Sequence, residues 1–141
     1  MYLLDTNVVS ALRRADKNPA VDAWNKSVPL SDVYLSVASV TEIERGIVSQ
    51  RRKNPPHAIE LENWLVSVIG DFGERILPVT LPVARHWGGL SGTLGRDDLD
   101  LIIAATALEH RLTVVTRNVS DFLPTGVDIF DPFADARHGP A

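Results

Sequence analysis

Short apolar runs alternate along this chain with longer segments of helical periodicity, and this alternation restricts its fold more than any other feature. The runs that we predict to be strands are Tyr2–Leu4, Val33–Ser36, Ile76–Val79, Leu112–Val115 and Val127–Phe130. Most intervals between them leave room for a helical crossover, which favours parallel pairing with helices on both faces of the sheet. We therefore predict an α/β fold of three layers, in which helices flank a central parallel sheet of four to five strands.

Capping residues and prolines mark the predicted helices. Ser39 and Glu42 have the spacing of a capping box, so we expect them to begin the helix after the second strand. Asn54-Pro55-Pro56 predicts a break before a helix from His57 to about Gly70. The other predicted helices run from Thr6 to about Arg14, from Pro19 past Trp24, from Thr80 through Leu90, and from Leu101 to about His110. The last is apolar on most sides, which predicts a place inside the core.

Glycines weaken the second half of the helix that begins at Thr80. They are Gly88, Gly89, Gly92 and Gly95. Each glycine inside a helix costs roughly 1 kcal/mol relative to alanine, so the group needs an explanation. Close packing against another helix or a partner subunit is one explanation, and a frayed helix end is the other. The sequence leaves both open.

The length of 141 residues is typical of one globular domain. We expect a single domain over residues 1–133 and a flexible tail over 134–141. The absence of cysteine excludes disulfides, thiolate catalysis and cysteine-bound metals. The chain opens on an apolar run that ends at Asp5 without the features of a secretory signal, and no run approaches transmembrane length. We therefore expect a cytoplasmic protein.

Acidic residues are predicted to meet at the edge of the sheet where the parallel strands end. Asp5 directly follows the first strand, Glu42 lies in the helix after the second, and Asp121 follows the fourth by a few residues. Asp100 lies at the start of the helix that precedes the fourth strand. Ligands of open parallel sheets bind at this edge. Each acid alone is also explained as a helix cap, a first-turn acid or a surface turn, but chance must then place several on one rim.

Carboxylates that meet in this way repel one another unless a cation binds or a proton is taken up. Oxygen ligands without cysteine indicate Mg²⁺ or Mn²⁺ rather than zinc. Such an ion polarises a phosphoryl oxygen and lowers the pKa of bound water, which suits hydrolysis of a phosphodiester. The net charge of −4 argues against binding of nucleic acid by bulk electrostatics. A bound cation weakens this objection because it reverses the sign of the local charge.

Other catalytic schemes are less well supported by the sequence. The histidines lack metal-ligand spacing, and dinucleotide, Walker and nucleophile-elbow motifs are absent. Two alternatives to RNA cleavage stay open. The first is another metal-dependent phosphohydrolase that acts on DNA or a small phosphoester, and the second is a non-catalytic module whose acids bind a basic partner.

The basic residues allow two interpretations. Arg13-Arg14 and Arg51-Arg52-Lys53 are more typical of solvated helix ends than of patches that steer RNA. Arg117 either contacts a substrate phosphate or pairs with a neighbouring acid, and the sequence favours neither.

Four segments resemble the motifs of the PIN-domain family, in particular of its VapC and FitB-like toxins. The segments are Leu3–Asn7, Ser36–Ile43, Asp100–Leu108 and Val114–Phe122. They occur in the order of the family's motifs, and the resemblance spans about Tyr2 to Phe133. Four ordered motifs are far more specific than any one of them.

The resemblance implies a PIN-like fold and Mg²⁺- or Mn²⁺-dependent cleavage of RNA. The acids that it implies as catalytic and metal-binding residues are Asp5, Glu42, Asp100 and Asp121. The supporting polar residues are Thr116 and Asn118, to which we add Thr6 and Asn7. Asp97 and Asp98 make the segment before the third motif more acidic than is usual, and we interpret them as a solvated helix start.

The same resemblance implies partners. It indicates the toxin of a type II toxin–antitoxin system, with RNA as substrate and a cognate VapB-like antitoxin as inhibitor. It also implies a homodimer or a higher assembly with the antitoxin. A dimer would bury the apolar helices near Trp64 and Trp87.

Overall fold

The computed structural model describes residues 1–134. The predicted tail therefore lies almost entirely outside the described residues. The strands are β1 (Tyr2–Leu4), β2 (Val33–Ser36), β3 (Ile76–Leu77), β4 (Thr113–Val115) and β5 (Ile129–Phe130). The helices are α1 (Thr6–Leu12), α2 (Pro19–Ser27), α3 (Val37–Lys53), α4 (Pro55–Phe72), α5 (Leu81–Leu94), α6 (Leu99–His110) and α7 (Val119–Phe122). Within the described part, no helix is long and apolar enough to cross a membrane.

The five strands form one sheet in the order β3-β2-β1-β4-β5, and every pairing is parallel. This confirms the predicted α/β class, the number of strands and the place of β5 at an edge. β3 and β5 are shorter than predicted, with two residues each. Both are edge strands and pair on one side only, so fewer of their residues are held in a ladder.

Helices cover both faces of the sheet because neighbouring strand residues point to opposite sides. Leu4 and Val115 pack into one hydrophobic cluster with α1, α3 and α4. Leu3 and Val114 pack into another with α6 and Phe122 of α7. All residues of α6 from Leu101 to Ala107 are buried, which confirms the predicted core helix. The carboxyl ends of β1, β2 and β4 thus lie at one edge of the sheet, between the two layers of helices.

The capping prediction for α3 is wrong. The helix begins at Val37, and its cap is Ser36, whose hydroxyl accepts a hydrogen bond from the Ala38 amide at 3.0 Å. Ser39 lies inside the first turn and is fully buried, so its hydroxyl points toward other elements. The predicted start was late because Ser36 was assigned wholly to β2, where it is both the last strand residue and the cap.

Two other helix boundaries also differ from the prediction. The prolines after Asn54 begin α4 rather than precede it, since the first turn of a helix does not need their missing N–H groups. The helix α5 continues to Leu94, where Gly95 with φ of 67° caps it, so the frayed end is excluded. Within residues 1–134, no atom of another element lies within 4 Å of a Cβ built on Gly88, Gly89 or Gly92, which removes close packing inside the chain as their explanation.

We expect Ser36→Ala to lower the free energy of unfolding by about 1 kcal/mol and by at most about 2 kcal/mol, because the Ala38 amide loses its acceptor in a buried place. Urea unfolding followed by circular dichroism measures this. Thr41→Ala on the same helix is the matched control, because Thr41 is exposed and bonds only to the carbonyl of Val37. Equal stability of the two variants would contradict the assignment of Ser36 as the cap.

Candidate metal centre

Three carboxylates from different parts of the chain meet at the carboxyl edge of the sheet. Asp5 follows β1 and caps α1, Glu42 lies in α3 after β2, and Asp100 lies in the first turn of α6. One oxygen from each lies within 4.8 Å of the others. The crossover connections of β1 and β2, together with α6, therefore gather the three acids as the sequence predicted.

Asp5 is the most enclosed of the three, with 3% of its surface exposed. Its amide donates to the Val115 carbonyl at 2.9 Å, which continues the pairing of β1 with β4 past the strand end. Its carboxylate accepts hydrogen bonds from the Thr6 amide at 2.7 Å and the Thr116 hydroxyl at 2.8 Å. Asp5 is therefore fixed in orientation by both the backbone and neighbouring side chains.

The predicted supporting residues surround Asp5. Asn7 donates to Asp5 Oδ2 at 3.1 Å through its side-chain amide. The hydroxyl of Thr116 in turn accepts a hydrogen bond from the backbone amide of Asn118 at 2.9 Å. Asn118 thus acts on the site through its main chain, and the residue is exposed. Asn7, Thr116 and Asn118 therefore act on the clustered acids through Asp5.

Thr6 connects Asp5 to Glu42. Its hydroxyl donates to Glu42 Oε1 at 3.0 Å and lies 2.9 Å from the hydroxyl of Ser39. Ser39 is a member of this network that the sequence analysis missed, because the capping-box spacing offered a local explanation for it. Its distance of three residues from Glu42, on the same face of α3, is the signal that could have identified it.

Asp121 lies outside the group of three. It is exposed on α7, but its charge is close enough to raise the pKa of Asp5 and of Asp100. The backbone carbonyl of Asp121 accepts a hydrogen bond from Arg96 at 2.7 Å. The structure therefore places the fourth predicted acid at the rim of the centre.

Arg96 is a second residue that the sequence analysis missed. Its guanidinium forms two hydrogen bonds with the carboxylate of Asp98, at 2.9 and 3.0 Å, besides the one to α7. Asp98 is exposed at the start of α6, as predicted, and it is also paired with Arg96. This arrangement ties the segment before Asp100 to α7, and it holds the pKa of Asp98 below its ordinary value.

Burial and mutual repulsion raise the pKa values of all three clustered acids. Desolvation is the main cause for Asp5, although the hydrogen bonds from Thr116 and Thr6 oppose it. Desolvation also raises the pKa of Glu42, and the charge of Asp100 adds to it. The pKa of Asp100 is raised from its usual 3.8 to about 6, mainly by desolvation and further by the charges of Asp5, Asp98 and Asp121. A divalent cation bound to oxygen ligands would offset this repulsion, and the donor set fits such an ion.

We expect the metal-free protein to be less stable at pH 8 than at pH 5. The pKa of Asp100 is about 6 in the folded chain, against its usual value of 3.8, so between these values the folded state binds more protons than the unfolded state. The free energy of unfolding therefore falls as the pH rises through this range. The lowered pKa of Asp98 changes stability only at pH values below the usual pKa of aspartate, so it does not oppose the loss of stability between pH 5 and pH 8. Thermal unfolding in EDTA measures the effect. Asp100→Asn should flatten the slope, and an unchanged slope would contradict the assignment.

Comparison with known proteins shows consistent similarities. The model of the PIN domain matches residues 2–122. The chain is 38% identical over 143 residues to the toxin FitB of Neisseria gonorrhoeae, covering 96% of this chain and 100% of the relative. It is 34% identical over 145 residues to the VapC ribonuclease Y4jK of Sinorhizobium fredii, again covering 96% and 100%. The crystal structure of FitAcB from Neisseria gonorrhoeae superposes with a TM-score of 0.83 at 38% identity, covering 96% and 100% of the two chains.

Proposed function

The chain belongs to the PIN-domain family, and from this membership we propose that it is a metal-dependent endoribonuclease that serves as the toxin of a type II toxin–antitoxin pair. The observation that carries the proposal is the meeting of Asp5, Glu42 and Asp100 at one edge of the sheet. The family accounts for RNA as the substrate class, and the three acids account for the metal dependence.

The ion that we propose is Mg²⁺ or Mn²⁺. Both prefer carboxylate oxygens, and the chain has no thiolate that would select a softer metal. Asp5, Glu42 and Asp100 would hold it, and Asp121 would contribute through water from the rim. When bound, the ion supplies charge that polarises the phosphoryl oxygen and favours attack by water on the phosphodiester.

The residues around the centre fix the geometry of the acids. Thr116 and the Thr6 amide hold the Asp5 carboxylate, and Asn7 completes its set of donors. The hydroxyl of Thr6 holds Glu42 of α3. These bonds favour the ionised carboxylates, which is the state that binds a cation, and they oppose the uptake of protons that burial would otherwise cause.

We propose an antitoxin as the protein partner. This chain is similar along 96% of its length to a chain of the FitAcB structure, and another similar structure is described as a toxin–antitoxin complex from Klebsiella pneumoniae. We also propose that the chain forms a homodimer or a higher assembly with the antitoxin. Residues 1–133 form one domain in this proposal. The protein acts in the cytoplasm, where its RNA substrate is.

Cleavage of three substrates tests the proposed function. The purified chain is incubated with single-stranded RNA, single-stranded DNA of the same sequence and a phosphomonoester, each with Mg²⁺, Mn²⁺ or EDTA. We expect cleavage of RNA with either metal and none in EDTA. Cleavage of DNA or the monoester in preference to RNA would assign a different phosphohydrolase. Hydrolysis of none, together with binding of a basic peptide, would assign a non-catalytic module.

A further inference from the structure

Three arginines line one depression beside the metal centre. Arg13 and Arg14 follow the end of α1, and Arg117 follows β4. Asn7 and Phe133 line the same depression. More than a hundred residues of sequence separate the first two arginines from the third, so only the parallel pairing of β1 with β4 brings them together.

The three arginines give this depression a positive charge. Among residues 1–134, no acidic side chain lines it. In the part of the chain that the structure describes, none of the three arginines has an ion pair within 4.0 Å. Like charges that lie together without a counterion are unfavourable, so a group of this kind favours the binding of an anion. The overall charge of −4 therefore conceals a local cationic surface.

The walls of the depression are held in place. The side-chain amide of Asn18 donates to the carbonyls of Ala11 at 3.3 Å and Arg14 at 3.1 Å, which fixes the chain after α1. The guanidinium carbon of Arg117 lies 3.8 Å from the centre of the Phe133 ring. Stacking of this kind limits the freedom of an exposed arginine, so less entropy is lost when it binds an anion.

Asn7 joins the depression to the metal centre. Its side-chain amide donates to Asp5 at 3.1 Å, and its side-chain oxygen accepts from the amide of Arg117 at 3.4 Å. One side chain therefore contacts the innermost acid of the centre and the backbone of a lining arginine. If one phosphate of an extended polyanion lies at the clustered acids, a neighbouring phosphate of the same strand would lie in this depression.

We propose that Arg13, Arg14 and Arg117 form a binding subsite for a backbone phosphate of single-stranded RNA next to the phosphate that is cleaved. The proposal rests on the proposed ribonuclease function for the identity of the ligand. Arginine suits this role because its planar guanidinium donates two parallel hydrogen bonds to phosphate oxygens. The subsite also answers the objection from net charge, because it supplies the cationic contacts that the composition conceals.

Salt-dependent binding of RNA tests the subsite. The probe is a short fluorescein-labelled single-stranded RNA in EDTA, which prevents cleavage, and fluorescence anisotropy of the full chain gives the dissociation constant at several salt concentrations. The variants are Arg14→Gln, Arg117→Gln and the matched control Arg52→Gln, which removes the same charge from the exposed end of α3. We expect each subsite variant to make the slope of log K against log salt less negative by about 0.7, the value for one contact with a single-stranded phosphate. The control should leave it unchanged.

The outcomes separate the subsite from the proposed function. Slopes of Arg14→Gln and Arg117→Gln that equal those of the wild type and Arg52→Gln would overturn the subsite, even if the wild type cleaves RNA with Mn²⁺. Reduced slopes in a chain that cleaves no RNA with any metal would support the subsite and overturn the ribonuclease function. Unfolding temperatures equal to that of the wild type show that a changed slope reflects lost contacts and not lost fold.

Discussion

Asp5→Asn is expected to abolish metal-dependent cleavage of RNA while the chain stays folded. Asparagine has the shape of aspartate but lacks the charge that binds a divalent cation, and Asp5 is the most buried acid of the centre. We expect the rate to fall by at least about a thousand-fold, which corresponds to about 4 kcal/mol in the activation barrier. The chain should stay folded, because removal of a buried charge whose pKa is raised by desolvation offsets the loss of hydrogen bonds that an asparagine nitrogen cannot accept.

Single-turnover cleavage of a labelled RNA with Mn²⁺ measures the rate, and thermal unfolding in EDTA measures the stability. Asp16→Asn is the control, because Asp16 is an exposed acid in the short turn after α1 and away from the three clustered acids. It removes the same charge and should cut RNA like the wild type. A rate for Asp5→Asn within a few-fold of the control would mean that the acids of this edge do not carry the reaction.

The affinity for Mn²⁺ is expected to fall about tenfold for each unit of pH below 6, since a ligand must lose its proton before it binds metal. The cause is Asp100, whose pKa is raised to about 6 in the metal-free protein by desolvation and by the charges of Asp5, Asp98 and Asp121. Above this pH the affinity should become constant. Rising affinity with rising pH and falling stability of the metal-free chain are two consequences of the same excess of negative charge.

Calorimetric titration with Mn²⁺ between pH 5 and 8 gives the affinity without any use of activity. Asp100→Asn should bind Mn²⁺ weakly and with little dependence on pH in this window. Affinity of the wild type that is constant from pH 5 to 8 would show that Asp100 is not a ligand whose proton competes with the metal.

The positions of the clustered acids were predictable because each lies close to a strand end or a helix start. Asp5 follows a short apolar run, and Glu42 lies six residues beyond the next strand, so the parallel arrangement alone brings them to one edge. Asp100 required the resemblance to decide between it and its acidic neighbours. The core helix α6 was equally clear, since its residues are apolar on most sides.

Residues whose partners lie far away in sequence were not predictable from local patterns. Ser39 fits a capping box, but its hydroxyl lies against Thr6, 33 residues away. Arg96 has no local signal for its bond to the carbonyl of Asp121, because backbone acceptors leave no trace in composition. Arg117 was not predictable either, because it lines the same depression as Arg13 and Arg14 only through the pairing of β1 with β4, which are far apart in sequence.

The most direct measurement is anomalous diffraction from crystals of the chain soaked in Mn²⁺. We expect an anomalous peak at the edge of the sheet, in contact with oxygens of Asp5 and Asp100, and its loss in crystals of Asp5→Asn. Crystals that hold Mn²⁺ only elsewhere, or that show no peak between these acids at saturating concentration, would show that the three acids do not bind the metal.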